Sequence, residues 1–546
     1  MLSRPFLIGI LITAICWAQQ NPFPKASYFR ETFSKPITRV ELKPPVRLED
    51  FVVDGKLELS LRSYLELVLA NNTDVQISRL TVETAKNAIL RGFGAFDPLF
   101  TGAFTATRQL TPASDILAGA ATVSQLSQPA VFNYQQRLET GTTYTVGYSA
   151  SKLSTNSAFQ TWNPSLSSNV TFRFTQPLIR DRGTFVNRLP IMTARSRLRA
   201  TEYTLRDTLM RLLSDAESVY WDVLQARENL RVQQSALELA DFALKRANQE
   251  LQLGATSPLE IFQPQQNYAT VEIQVSQARF LLGQREDALR RQIGADLDPQ
   301  FRHIAIQLTE SLTPPLDSAA IDAESAVEAA LVSRPDLRAA IQNLDVDDLG
   351  IKQAANAMKP DLSLTGRYVS QGRGGDYYTR DSSLGGSTTN PMMIPGGFGD
   401  ALNMMFGFGF PIYELGVTLR LPIRDRAAAA NMADAQVAKR RDTLTARSLE
   451  QTVRLDVLNA VNQVESSKAS VKLATVARDF AQKRLDAEQK KYDLGTSQIF
   501  FVLQAQTDRV NAESSLVRET VTYRRNLLNL LRRTGQLLEE RGVVVE

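Results

Sequence analysis

Among 546 residues there is one histidine, His303, and one cysteine, Cys16. Most side-chain proton transfer at neutral pH and all thiolate chemistry would have to pass through these two. His303 lies in PQFRHIAIQL, with no G-x-S-x-G turn anywhere to supply a serine partner. One histidine excludes an HExxH zinc site or a histidine cluster, and one cysteine excludes a zinc finger or an internal disulfide. Glycine fingerprints of nucleotide-binding loops are also missing. An enzyme of the cell envelope is therefore the poorest reading, and no cofactor or metal is expected. The side chains left to do chemistry are arginines on patterned strands, Arg173, Arg367 and Arg420, where fixed positive charge would tune ion passage or pair with acids on adjacent strands.

Those arginines stand in segments that alternate with period two. In SNVTFRFTQPL, Val170, Phe172 and Phe174 oppose Thr171, Arg173 and Thr175. GTTYTVGYSA, DLSLTGRY and LGVTLRLP repeat the pattern, and Arg367 and Arg420 fall on the polar side. One apolar face and one Thr/Ser/Arg face fit either a transmembrane β-barrel or a soluble sheet packed on a core. Gly/Ser/Asn/Pro-rich stretches between them, above all 371–411, read as long outer loops.

The strands must be carried by something long. From Leu209 through Ala216, Val223 and Leu230 to Leu251, apolar residues recur at alternating gaps of three and four. Val453, Val457, Ala460, Val464, Ser467 and Val471 do the same. These are coiled-coil seams. They predict helices from about residue 185 to Gln252 and from about Arg426 to Asp493, each on the order of 100 Å long. Both end at a Leu-Gly turn, Leu253-Gly254-Ala255 and Leu494-Gly495-Thr496, after which helical patterning resumes. Glycine permits the reversal. Thr256 or Ser257 is placed to cap the next helix, with Pro258 in its first turn.

The whole order recurs. ANNTDVQISRL with FDP answers SRPDLRAAI with KPDLSL; RFTQPLIRDRG answers LRLPIRDRA; and the two Leu-Gly turns correspond. The spacing of roughly 240–260 residues predicts a tandem duplication rather than a short-period solenoid. Two strands per repeat give four per chain, or six if YQQRLETGTTYTVGYSASK adds a hairpin to the first. Neither number encloses a water-filled lumen, since about eight strands leave room only for side chains. Open edges cannot face lipid, so a barrel built this way needs copies of the chain.

The N-terminus, MLSRPFLIGILITAICWAQQ, reads as a secretory signal peptide cut after Ala18. The apolar run is short for a membrane span. Lipidation of Cys16 is the alternative, against which Ile15 stands where Gly, Ala or Ser would be wanted. The net charge of +4 comes from 62 basic and 58 acidic residues, which gives no field for nucleic acid.

Signal peptide, two repeats, FDP and KPDLSL strand starts, RDR strand-to-helix joints and paired Leu-Gly turns together resemble the TolC-like outer-membrane efflux proteins, the outer membrane factor family. The likeness runs from about Leu59 to Leu538. It implies an α+β membrane protein: a homotrimer with a shared transmembrane β-barrel, continued by a long α-helical coiled-coil barrel through the periplasm. Along the chain this gives a signal peptide (1–18), a periplasmic arm (19–58), a first repeat (59–295), a linker (296–325), a second repeat (326–538) and a tail (539–546). It implies an outer-membrane exit duct for a tripartite efflux or type I secretion system, with outer-membrane lipid around it and a periplasmic adaptor and inner-membrane pump as partners. Leu253, Gly254, Ala255, Leu494, Gly495 and Thr496 would be adaptor-docking tips. The family's gate tyrosine matches Tyr492 and its acidic partner matches Glu260. Where the family has a gate arginine this chain has Ser497, and its aspartate ring is replaced by Phe501 and Gln504, so Phe501 is expected to narrow the entrance instead. Two rivals stay open: a general diffusion porin, which would not need the long seams, and a soluble periplasmic coiled-coil scaffold, whose strands would tolerate lysine on the Val170/Phe172/Phe174 face.

Overall fold

A computed structural model describes residues 48–114, 118–157, 160–254, 257–312, 321–379 and 392–543. The signal segment, most of the arm, Ala255 and Thr256 lie outside the described residues.

The chain first builds a small hub. Strands β1 (Val52–Val53) and β2 (Lys56–Leu59) pair antiparallel, followed by helices α1 (Leu61–Asn71) and α2 (Thr73–Phe93). Asn72 separates the helices and caps the second, accepting from the amides of Asp74 and Val75. Six-residue strands β3 (Leu99–Phe104) and β4 (Thr107–Pro112) then line up on β5 (Thr122–Arg137) as one broken ribbon. Strands β6 (Thr143–Thr155) and β7 (Ser165–Pro177) complete an antiparallel meander. Helix α3 (Leu189–Gln252) has 64 residues, ~96 Å at 1.5 Å each. Pro190 sits in its first turn, where the missing N–H costs nothing. After the Leu253-Gly254 turn, α4 (Phe262–Gln292) returns.

Strand β8 (Ala305–Leu308) lies parallel to β2, so the linker between the halves closes the hub's sheet. Helices α5 (Ala323–Ser333) and α6 (Pro335–Ala357) lead to β9 (Asp361–Gly374). Short strands β10 (Tyr377–Thr379) and β11 (Met392–Ile394) pair with each other, and α7 (Phe398–Phe406) precedes β12 (Pro411–Arg420). Helix α8 (Arg426–Asp493) has 68 residues, and α9 (Ile499–Thr534) returns from its tip.

One antiparallel sheet has the order β12-β9-β7-β6-β5-β3, with β4 beside β3 on β5. Counting β3 and β4 as one ribbon, the sheet has six among the described residues, the larger of the two expected numbers. The register keeps the alternation: Tyr134, Val146, Phe172, Tyr368 and Tyr413 stand in one row across the sheet. Phe132 and Tyr148 stack at 6.4 Å, and Phe172 and Tyr368 lie 6.4 Å apart. These rings are in contact with each other, yet Phe172 and Phe174 remain exposed, as do Phe100 and Phe104 on one edge and Leu415 and Val417 on the other.

The predicted seam of α8 is buried as drawn, from Val453 to Val471. In the lower half of α3 the seam's Ala240 is buried, but the other buried positions are Val232, Ala236 and Ala243, each one step off Gln233, Leu237 and Leu244, which are half-buried. Helix α4 packs along α3, and alanine leaves room for a close neighbour. The hub core is the largest apolar cluster. In it the Tyr64 hydroxyl donates to the Ala216 carbonyl and the Tyr220 hydroxyl to the Leu59 carbonyl. The tail, for which the sequence suggests no role, packs here as well. Leu537 and Leu538 are buried, and Arg541 grips both carboxylate oxygens of buried Glu217 at 2.6 and 3.0 Å.

Candidate functional site

The far ends of the two helical hairpins are built alike. At the second, Gly495 donates to the Tyr492 carbonyl (2.9 Å) and Thr496 to that of Lys491 (2.9 Å). That paired pattern closes a helix on a left-handed residue, and Gly495 has φ +71°. At the first, Gly254 (φ +72°) donates to the Leu251 carbonyl. Leu253 and Leu494, at equivalent positions, are 83% and 78% exposed. Two apolar knobs held in water on rigid turns are what a docking partner could cover. One local expectation changes. Helix α4 starts at Phe262, so Pro264, not Pro258, occupies its first turn. Residues 257–260 form a separate turn, with the Glu260 amide on the Ser257 carbonyl.

A polar latch ties the two hairpins together just before the tips. The Tyr492 hydroxyl donates to Glu250 at 2.7 Å. Arg246 donates to Glu250 (3.0 Å) and to Asp493 (2.6 Å), and its guanidinium lies 4.8 Å from the Tyr492 ring centre. Burial, then the bond to Glu250, pushes the Tyr492 phenol up to about 12, so it remains a donor at any physiological pH. The bond from Arg246 holds the Asp493 carboxyl below the usual range. The acid bonded to Tyr492 is therefore Glu250 rather than Glu260. Glu260 is near enough to raise the phenol only by its charge. The geometric reason is direction: Glu250 precedes the turn on α3, level with Tyr492 on α8, whereas Glu260 follows the turn.

Ser497, at the position of the expected arginine, donates to Glu488, which Lys491 also holds at 2.7 Å. Phe501 is 48% exposed and meets Phe500 edge to face at 5.4 Å. Neither ring joins the small core of Leu485, Val502 and Ala505 beside them. Gln504 donates to Asp508, which Arg484 also binds. The residues that sequence reasoning misses are Arg246, Glu250 and Asp493. Their signal was an Arg-x-x-x-Glu helical pair one turn from a Leu-Gly and an acid beside Tyr492.

On the sheet's polar face, Arg173 stands opposite Arg367, and Arg367 opposite Glu414, with which it pairs at 3.1 Å. Arg420 faces Asp361 in register. Like charges directly opposite repel, so Glu414 offsets a strained row. No cluster able to hold a metal exists among the described residues. No helix there is long and apolar enough to cross a membrane, which says nothing of the sheet.

The family model for outer membrane efflux proteins matches residues 139–295 and 326–536. The chain belongs to the outer membrane efflux protein family. That class is a transport channel, not an enzyme. Outer membrane protein TolC of Escherichia coli is 25% identical over 335 residues, 60% of this chain and 62% of TolC. The pyoverdine export outer membrane protein OpmQ of Pseudomonas aeruginosa is 23% identical over 322 residues, 59% of this chain and 60% of OpmQ. The alignment thus spans about three-fifths of the curated relatives' length. Among solved structures, the CmeC outer membrane channel of Campylobacter jejuni superposes with a TM-score of 0.61 at 17% identity, over 90% of this chain and 87% of CmeC. The outer membrane protein VceC of Vibrio cholerae gives 0.59 at 14%, over 87% and 96%. These neighbours carry the same fold, a β-barrel joined to an α-helical barrel.

Proposed function

We propose that this chain is one of three identical subunits of an outer-membrane exit duct, through which substrates leave after an inner-membrane pump and a periplasmic adaptor deliver them. The observation that carries the reading is the six-ribbon sheet. One face is aromatic and the other polar, and the edge strands β12 and β3/β4 have no further neighbour among the described residues. In hydrocarbon each unpaired backbone group costs several kcal/mol. Three copies joined edge to edge give eighteen ribbons, enough for an aqueous lumen lined by the Arg173/Arg367/Glu414 face. The helical hairpins, ~100 Å long, lead from that barrel into the periplasm. The chain's two halves, each with a helix pair, strands, a long helix and a returning helix, support an ancestral tandem duplication.

At the far ends, Leu253, Gly254, Ala255, Leu494, Gly495 and Thr496 form the adaptor-docking ring. The Tyr492–Glu250–Arg246–Asp493 latch, with Glu260 beside it, holds the entrance closed, and Phe501 and Gln504 narrow it. A diffusion porin has no use for a latch at the end of ~100 Å helices. Imaging of detergent-purified protein tests the assembly: the expected particle is a hollow cylinder with threefold symmetry. A monodisperse monomer with its sheet edges paired internally would overturn it.

A further inference from the structure

Helix α7 lies on the wrong side of the sheet for a loop that dips into a lumen. It packs across β7 and β9 on the face that carries Phe172, Phe174 and Tyr368. Its contacts Ser168, Ser370, Gly372 and Gly374 are spaced by even steps from those residues. The seat is cut to fit. The Ser370 hydroxyl donates to the Met405 carbonyl (2.5 Å) and the Ser168 hydroxyl to the Met405 sulfur (3.2 Å). A Cβ on Gly372 would collide with the Ala401 carbonyl, and one on Gly374 with that of Gly397. Ala401 and Met405 are fully covered as a result.

The other side of the segment is apolar and bare. Phe398, Phe406, Phe408 and Phe410 are 39%, 65%, 55% and 60% exposed. Between Met392 and Tyr413 the one charged residue is Asp400, and its carboxylate caps the helix at the Gly397 amide. A water-exposed loop with four bare phenylalanines and no basic residue would be an aggregation hazard. Just above the seat, Trp162 and Tyr377 pair with ring centres 5.0 Å apart. Trp and Tyr gather at the membrane–water boundary. From Leu362 to Gly372 the aromatic face runs ten residues along a tilted strand, ~24 Å of height, the span of a barrel's apolar band.

We infer that Phe398–Phe406 is a rib embedded in the outer leaflet of the membrane, seated on the barrel's outer wall, with Phe398 and Phe406 turned to lipid acyl chains. This rests on the barrel reading above. The partner is the lipid surface. A neighbouring subunit and the lumen are the competing occupants, and the polar row of Arg173 and Arg367 lies on the opposite face.

Spin labelling tests it. In a Cys16→Ser background, nitroxides are placed singly at Phe406→Cys, Phe172→Cys and Thr171→Cys. The assembled protein is then reconstituted into phosphatidylcholine vesicles. Collision rates are read with oxygen, which enters lipid, and a nickel chelate, which stays in water. The Phe406 and Phe172 labels should favour oxygen several-fold, and the Thr171 label should favour nickel. If the Phe406 label favours nickel, or is shielded from both, while Phe172 still favours oxygen, the inference fails and the barrel stands. If the Phe172 label also favours nickel, the barrel reading falls and takes the inference with it. Gly372→Leu should unseat the helix, narrowing the Phe406 label's spectrum without changing that at Phe172. An unchanged Phe406 spectrum would contradict the seat.

Discussion

Replacing Tyr492 with phenylalanine removes one hydroxyl and leaves the ring, and with it the stacking of Arg246. The lost bond is 2.7 Å long and ends on a carboxylate. A hydrogen bond to a charged group contributes about 1.5–3 kcal/mol. This one is half in water, so screening reduces it to about 1 kcal/mol. Three copies in a ring would then hold the closed entrance by about 3 kcal/mol, which is roughly a hundredfold in the closed-to-open ratio. Single-channel recording in planar bilayers reads that ratio as open probability at fixed voltage. Tyr492→Phe and Glu250→Ala should each raise it, Glu250→Ala the more because it also loses Arg246, and the double variant should add little to Glu250→Ala, because the tyrosine bond is already gone. Glu260→Ala should act more weakly, since Glu260 makes no bond to the phenol. Open probabilities that stay within twofold of the parent in all of these variants would refute the latch.

Acid should open the entrance. The Asp493 carboxyl is held low by the bond from Arg246, and that of Glu488 by the bond from Lys491. Depressed carboxylates stabilise above their ordinary value near ~4 and stop doing so as pH falls through the lowered one. Conductance is therefore expected to be flat between about pH 5 and 10 and to rise below about 4. The phenol of Tyr492, pushed up to about 12, gives up its bond only above its ordinary range. Arg541→Ala removes both bonds that grip the buried Glu217, leaving it the Trp221 indole and the charge of nearby Arg524. It should cost ~3 kcal/mol, seen as an earlier thermal transition, with Arg541→Lys in between. Glu414→Gln removes the acid beside Arg367 and should shift reversal potentials toward anion preference under a salt gradient. Leu253→Asp with Leu494→Asp should abolish export in cells while the assembled particle is still recovered. Export at parental levels would detach the tips from docking.

The elements were legible where their physics is periodic. Period-two alternation gave the faces of β6, β7, β9 and β12, and the three-four gaps gave both long helices, with α8 starting and ending at the expected Arg426 and Asp493. The Leu-Gly turns were legible because a left-handed closing residue is a local demand. What escaped depends on distant parts of the chain. Pairing of Tyr492 with Glu250 requires knowing which turn of α3 comes level with α8, and no spacing within one segment encodes that. The hub escaped for the same reason: Lys56–Leu59 and Ala305–Leu308 are too short to announce strands until each lies beside the other. In the lower half of α3 two seam positions, Leu237 and Leu244, gave way to Ala236 and Ala243 beside them, because alanine and leucine both read as apolar although alanine admits the closer neighbour. Helix α7 was hidden in a glycine-rich stretch whose glycines serve as clearance rather than flexibility.

All ladders of the sheet but one join ribbons that lie close along the chain. The exception is β7 with β9, separated by α3 through α6. The β3–β7 meander can zip across loops of nine residues or fewer, and β9 can meet β12 across the 36 residues that hold α7. Their union must wait for a closure whose entropic cost is set by the intervening helices. In the proposed trimer, that junction and the one to the next subunit would face the same obstacle, since both bring together edges that no short turn has introduced. An insertion intermediate would accordingly be a pair of preformed sheet fragments, and substitutions along β7 or β9 should slow assembly more than equal ones inside β6.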